Sequence, residues 1–216
     1  SPLPRATARR EPARPRAGVA PHGQAVKFTG GSGVVDHADE RIEISWTGSF
    51  TINAYPVSVG APSETFADPR LVLEDGSAQL TFDVTIGEGK DQDDNPIPAA
   101  PLGRITVLDF SDVDVADVLD GSARLVPDYL GVAAPASVTD QVTTCSTDGG
   151  GTGWWGSWPA ELVAGMADAL RGHYYSTSCG GRQDNKPPLP FDLTFDVDDA
   201  PVVTAGPQDV EVVVGE

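Results

Sequence analysis

Leu71-Val72-Leu73-Glu74-Asp75-Gly76-Ser77-Ala78-Gln79-Leu80-Thr81-Phe82-Asp83-Val84-Thr85-Ile86 reads as a β-hairpin. The central Asp75-Gly76 supplies the positive φ angles that a tight turn needs. In the second arm Ala78, Leu80, Phe82, Val84 and Ile86 alternate with Gln79, Thr81, Asp83 and Thr85. A period of two puts one set in the core and the other in water. Upstream the same period recurs. Ile42, Ile44, Trp46, Gly48, Phe50 and Ile52 oppose Glu43, Ser45, Thr47, Ser49 and Thr51, which predicts one long half-buried antiparallel strand over Arg41–Asn53. Arg104–Phe110 returns as a strand after a polar loop over Gly87–Leu102, and further strands are expected over Ala123–Val126, Ser137–Thr143 and Phe191–Val197. The fold class that follows is mainly β, an antiparallel β-sandwich-like domain with one short helix.

That helix is predicted after Ser157 or Trp158, either of which can cap it. Pro159 suits its first turn, Glu161 complements its dipole, and Leu162, Val163, Met166, Ala167 and Leu170 form its apolar stripe. Gly172 fits a left-handed C-terminal cap.

Composition agrees with a turn-rich β protein. Gly (24) and Pro (19) are abundant in the 216 residues, while the apolar fraction of 39% suffices for a core. The net charge of −18 is unevenly spread. Residues 1–27 carry Arg5, Arg9, Arg10, Arg14, Arg16 and Lys27 against Glu11, a net +5, which leaves −23 for the rest. So acidic a body repels phosphate backbones and anionic lipid, which argues against nucleic acid as a partner. No apolar run reaches the ~20 residues of a membrane span. Three parts are expected: a Pro/Arg-rich extended arm or linker over 1–24, a β domain over 25–197, and a linker with the first strand of an immunoglobulin-like domain over 198–216, where Val202–Thr204 and Val210–Val214 follow Asp198-Asp199-Ala200-Pro201.

The two cysteines, Cys145 and Cys179, lie in polar Gly/Ser-rich stretches and match no zinc spacing. A disulfide formed in an oxidising compartment is expected, with free reactive thiols as the alternative. Gly149-Gly150-Gly151-Thr152-Gly153-Trp154-Trp155-Gly156-Ser157-Trp158 presents Trp154, Trp155 and Trp158 on glycine. Such aromatics either contact sugars or protein partners or fold back on the core. Asp91, Asp93 and Asp94, with Asn95, crowd one loop, and Asp196, Asp198 and Asp199 another. Oxygen-rich loops can hold Ca²⁺, or they are simply solvated. Catalytic frames are missing. Ser32 lacks the strand–Gly-x-Ser-x-Gly–helix setting, and His22, His37 and His173 are paired with no nucleophile. The chain is therefore read as no enzyme.

Gly30-Gly31-Ser32-Gly33-Val34-Val35-Asp36, Ile44-Ser45-Trp46-Thr47-Gly48-Ser49-Phe50, Asp68-Pro69-Arg70-Leu71-Val72-Leu73 and Asp75-Gly76-Ser77-Ala78-Gln79-Leu80 together resemble an HtaA-type domain. The resemblance is clearest over residues 26–86 and extends to about 196, where Trp158-Pro159 and Lys186-Pro187-Pro188-Leu189-Pro190 resemble the closing segment of longer members. The family comprises secreted or surface-anchored actinobacterial modules whose type members bind haem. The resemblance thus implies an extracellular or cell-surface binding module that captures or transports haem. Its partners would be other cell-envelope proteins or a small hydrophobic ligand.

In that family a helix tyrosine near the domain's start ligates the iron, and a histidine after the strand ending here at Ile52 supports it. This chain has its Pro/Arg arm in the first place and Asn53-Ala54-Tyr55-Pro56 in the second, with no tyrosine before Tyr55. Tyrosinate ligates ferric haem when a base holds the phenolate. The candidate ligands are Tyr174 and Tyr175 with adjacent His173, then Tyr55, and Arg171 or Arg182 would meet the propionates. The other reading packs both Tyr174 and Tyr175 at the helix end. The rival function is a structural, assembly or adhesion module of a cell-surface protein or filament that uses its terminal segments for subunit contacts.

Overall fold

The computed structural model describes residues 26–36, 39–53, 55, 57–119, 121–145, 155–180, 183 and 186–196. The predicted arm over 1–24 and the strand over 198–216 lie outside the described residues, as do Trp154, Arg182, Asp198 and Asp199.

The protein is mainly β and antiparallel. Its strands are β1 (Ser32–Asp36), β2 (Arg41–Ser45), β3 (Ser49–Ile52), β4 (Glu64–Glu74), β5 (Ser77–Ile86), β6 (Gly89–Lys90), β7 (Pro96–Ile97), β8 (Ala100–Phe110), β9 (Ser122–Leu125) and β10 (Phe191–Thr194). Six of them form one sheet in the order β1-β2-β4-β5-β8, with β3 also paired to β4. The hairpin stands as its sequence dictates. Leu73 faces Ala78 and Glu74 faces Ser77 across the turn, with Asp75 and Gly76 at φ 52° and 73°. Ala78, Leu80, Phe82, Val84 and Ile86 are all buried.

The long strand over Arg41–Asn53 is interrupted, and its partner explains why. β2 and β3 both pair with β4, but between them β4 carries Asp68-Pro69. Pro69 has no N–H to give the ladder. The chain bulges instead: the Trp46 N–H donates to the Pro69 carbonyl at 2.9 Å, and the Gly48 N–H to Asp68 Oδ1 at 3.0 Å. Asp68 returns its own N–H to the Gly48 carbonyl at 2.7 Å. Gly48 takes φ 134°, which only glycine adopts without strain.

The predicted single helix is two short ones, α2 (Ala160–Gly165) and α3 (Asp168–Arg171), and α1 (Val115–Leu119) precedes them. Met166 and Ala167 between α2 and α3 are extended. The Arg171 guanidinium donates to the carbonyls of Val163 (3.2 Å) and Met166 (3.1 Å), satisfying acceptors that the broken helix leaves open. Gly172 is right-handed at φ −63°, so the expected left-handed cap does not form. Ser137–Thr143 is not a strand, and the expected loop before Leu102 contains the β6–β7 ribbon and the start of β8.

One apolar face of the sheet carries the core. Ile42, Leu71, Leu73, Leu80, Val84, Ile105 and Phe110 pack with Leu162, Val163, Met166 and Leu170 of the helical segment and with Leu125 and Leu193 of the β9–β10 ribbon. The α2–sheet contact is pinned where the β8 Thr106 N–H donates to Glu161 Oε2 at 2.8 Å. Ion pairs such as Arg70–Glu43 and Arg104–Asp83 lie on half-exposed surface, where they add little stability. Among the described residues no helix is long and apolar enough to cross a membrane.

Candidate functional site

The segment that leaves α3 places three consecutive aromatic side chains against three different parts of the chain. Backbone bonds hold the segment first. The His173 N–H donates to Leu170, the Tyr174 N–H to Arg171, and the Trp158 N–H to the Tyr174 carbonyl, all within 2.9–3.0 Å. Ser157 and Tyr175 form an antiparallel bridge, and Ser176 bonds to both Gly156 and Val142.

From this frame Tyr174 turns inward. It is buried, stacks edge-on against Trp158 with centroids 5.4 Å apart, and donates its hydroxyl to Glu64 Oε2 at 2.7 Å. Tyr175 is also buried and donates to Asp140 Oδ1 at 2.8 Å. Burial raises both phenols, as do the carboxylates they face. Tyr175 is pushed up to about 12, which leaves it protonated near neutrality. Both tyrosines thus take the packed reading, with hydroxyls already engaged.

His173 turns outward. Its Nε2 lies 2.9 Å from the hydroxyl of Tyr55, on the segment after β3, and the two rings sit 5.7 Å apart. Tyr55 is 40% exposed. Exposed Ile52 and Val59 flank it in sequence. Partial burial, and then the charge of Lys186, hold His173 below the usual imidazole value of 6.5. At neutral pH the ring is therefore uncharged, and with its proton on Nδ1 the Nε2 atom accepts from the phenol. A phenol hydrogen-bonded to a neutral imidazole has a base within reach of its proton. Sequence adjacency pointed to the neighbours of His173. The pair that forms joins residues 118 positions apart, which no local pattern reveals.

Several of the remaining candidates that are described have structural partners. Cys145 and Cys179 are bonded to each other, joining the segments on either side of the helical region. The Trp158 indole donates to the Lys186 carbonyl at 2.7 Å and packs against the core, and Trp155 is half-buried. In the acidic loop Asp91 accepts from the N–H groups of Asp93 (2.8 Å) and Asn95 (2.9 Å) and from the Asn95 amide, while Asp94 pairs with Lys90. Among the described residues no group of three or more His, Cys, Asp or Glu is placed to hold a metal ion. Arg171 is committed to helix carbonyls and Asp168.

Two clefts lie apart from the Tyr55–His173 pair. One, of about 730 Å³, runs beside β1 and is lined by Phe28, Val35, Ile44, Trp46 and Phe195. Gly31 is obligatory there, because a Cβ would come within 2.3 Å of the Trp46 indole. The other, about 680 Å³, is an open hollow beside the β6–β7 ribbon. No protein-family model, no curated protein and no solved structure matches the chain.

Proposed function

We propose that this chain is a non-catalytic binding module of the HtaA type, working outside the cell, and that its ligand is a ferric tetrapyrrole taken up through Tyr55. The observation that carries the reading is the exposed Tyr55 hydroxyl held 2.9 Å from the neutral imidazole of His173. It supplies the ligand-and-base chemistry that ferric haem asks of a tyrosine. It does so with a residue in the place where the family keeps its supporting histidine. The exposed apolar side chains of Ile52 and Val59 suit a flat macrocycle laid on the surface. The bonded cysteines fit an oxidising compartment. The test is stoichiometric titration with haemin, followed by absorbance. A Soret shift that saturates at one equivalent supports the reading, and an unchanged spectrum of free haemin refutes it.

The assembly reading keeps one observation of its own. β1 is the outer strand of the sheet, and its Val34 is 67% exposed. Such an edge can accept a strand from a neighbour. Concentration-dependent oligomers in size-exclusion chromatography, together with no haemin binding, would favour it.

A further inference from the structure

The chain has 4 tyrosines, and all of them are among the described residues. Three are closed to solvent. Tyr174 and Tyr175 are buried with their hydroxyls on Glu64 and Asp140, and Tyr129 is buried with no hydrogen-bond partner for its hydroxyl among the described residues. Tyr55 alone has an exposed ring, and its hydroxyl lies 2.9 Å from His173 Nε2. Among the described residues the other easily oxidised side chains are less accessible. The single methionine, Met166, is buried, and Cys145 and Cys179 are bonded to each other. Trp46, Trp155 and Trp158 are half-buried.

A phenol gives up an electron readily only when its proton can leave in the same step, because the cation left otherwise is a very strong acid. A base within hydrogen-bond reach of the hydroxyl removes that obstacle. His173 is such a base: its Nε2 accepts from the Tyr55 hydroxyl, and the ring is held in place at the end of α3 by the bond from its own N–H to the Leu170 carbonyl. Tyr174 and Tyr175 also face groups that could take a proton, but their rings are closed to a second reactant. Tyr55 combines a proton acceptor at its oxygen with a ring that other molecules can reach.

We infer that Tyr55 is an oxidative cross-linking site: a diffusible one-electron oxidant takes an electron from its ring while His173 takes the phenolic proton, and the radical bonds to Tyr55 of a second copy of the chain. In each copy the O–H bond breaks, the oxidant is reduced by one electron, and the proton comes to rest on Nε2. The two radicals then pair. A carbon–carbon bond forms between ring carbons adjacent to those bearing the oxygens. The hydrogen on each bonded carbon moves to its own oxygen, which restores both hydroxyls. In sum, two phenols lose two electrons to two equivalents of oxidant and two protons to the two imidazoles, which release them to water. The inference goes beyond the tetrapyrrole reading and does not depend on it, since it requires no cavity at the pair. It gives the assembly reading a covalent step.

The experiment exposes the full chain to photogenerated tris(bipyridine)ruthenium(III), in enough salt to screen the net charge of −18 between copies. Wild type should develop dityrosine fluorescence and a dimer that survives reduction and denaturation, and peptide mapping should find Tyr55 joined to Tyr55. Tyr55→Phe should lose the dimer. His173→Phe keeps a ring beside Tyr55 and removes the base. It should slow the oxidation of Tyr55 on the order of tenfold, less than a full general-base contribution because water can take the proton instead. Oxidation of tryptophan or of a buried tyrosine with Tyr55 intact would overturn the inference. So would oxidised Tyr55 without the Tyr55–Tyr55 bond, or an unchanged rate in His173→Phe. If His173→Phe does not fold, wild type in heavy water decides. Oxidation of Tyr55 should slow there, because the proton moves with the electron, and equal rates in the two solvents would overturn the role of His173. No haemin is present in this experiment and no oxidant in the haemin titration, so each can fail without the other.

Discussion

Glu64 and Tyr174 meet at 2.7 Å inside the core, one residue along the chain from where His173 meets Tyr55 at 2.9 Å on the surface. Glu64 faces Ile52 across the β3–β4 ladder, and Tyr55 follows Ile52 by three residues. The two hydrogen bonds are an inner rung to β4 and an outer rung to the segment after β3, both reached from the chain that leaves α3. The inner rung fixes the backbone from which the outer one reaches into solvent.

Glu64 should give stability an unusual dependence on pH. The carboxyl is 3% exposed, its Oε1 has no hydrogen-bond partner among the described residues, and burial raises its pKa above 4.5, opposed only by the Tyr174 bond. The folded state then holds a proton that the unfolded state has released. The stabilisation is complete below 4.5 and is lost as pH rises through the folded value. Urea denaturation at a series of pH values should show this decline in wild type and not in Glu64→Gln. A wild-type profile parallel to that of the amide variant would contradict it.

Tyr174→Phe should cost about 1–3 kcal/mol, because it leaves a buried carboxyl without its hydrogen bond. The loss should be larger at pH 8 than at pH 4, where Glu64 is neutral in both states. Chemical denaturation at the two pH values checks this, and an equal loss at both would mean that the Glu64 charge plays no part.

Gly48→Ala should destabilise the protein by about 1–3 kcal/mol through the backbone alone. The added methyl would meet only the Phe28 ring at an ordinary 3.5 Å, so the strain comes from φ 134°. Thermal melting measures it, and an unchanged midpoint would show that the β2–β3 break relaxes freely.

Much of the sheet was legible because period-two alternation and the Asp75-Gly76 turn are local signals. The break at Trp46–Gly48 was not, since its cause, Pro69, sits on the neighbouring strand and the alternation of Ile42 to Ile52 runs on without a gap. The helix broke for a similar reason. The Leu162–Leu170 stripe is continuous in sequence, but Arg171 folds back to satisfy the carbonyls of Val163 and Met166. At the candidate site, His173 was visible as a base, and its neighbours Tyr174 and Tyr175 looked available. Only tertiary packing reveals that Glu64 and Asp140 engage them and that Tyr55 meets His173 instead.

Replacing Cys145 and Cys179 together by serine should lower stability by about 3–4 kcal/mol, the loop-closure contribution for a separation of 34 residues. Native, unreduced protein should offer no alkylatable thiol to mass spectrometry. Two labelled cysteines would contradict the bond.

Ligand affinity should hold steady above pH 6.5 and fall on the acid side. His173 is held below 6.5, and only the neutral ring accepts the proton that Tyr55 releases on binding iron. His173→Ala should weaken binding and remove that acid step. An acid step of the same size in the variant would assign it to another group.

The most direct test of the account is haemin titration of wild type beside Tyr55→Phe, with Tyr174→Phe and Tyr175→Phe as comparators. The account predicts a saturable one-to-one Soret shift in wild type, its loss in Tyr55→Phe, and its retention in folded Tyr174→Phe and Tyr175→Phe. A Tyr55→Phe protein with the wild-type ferric spectrum and affinity would contradict it.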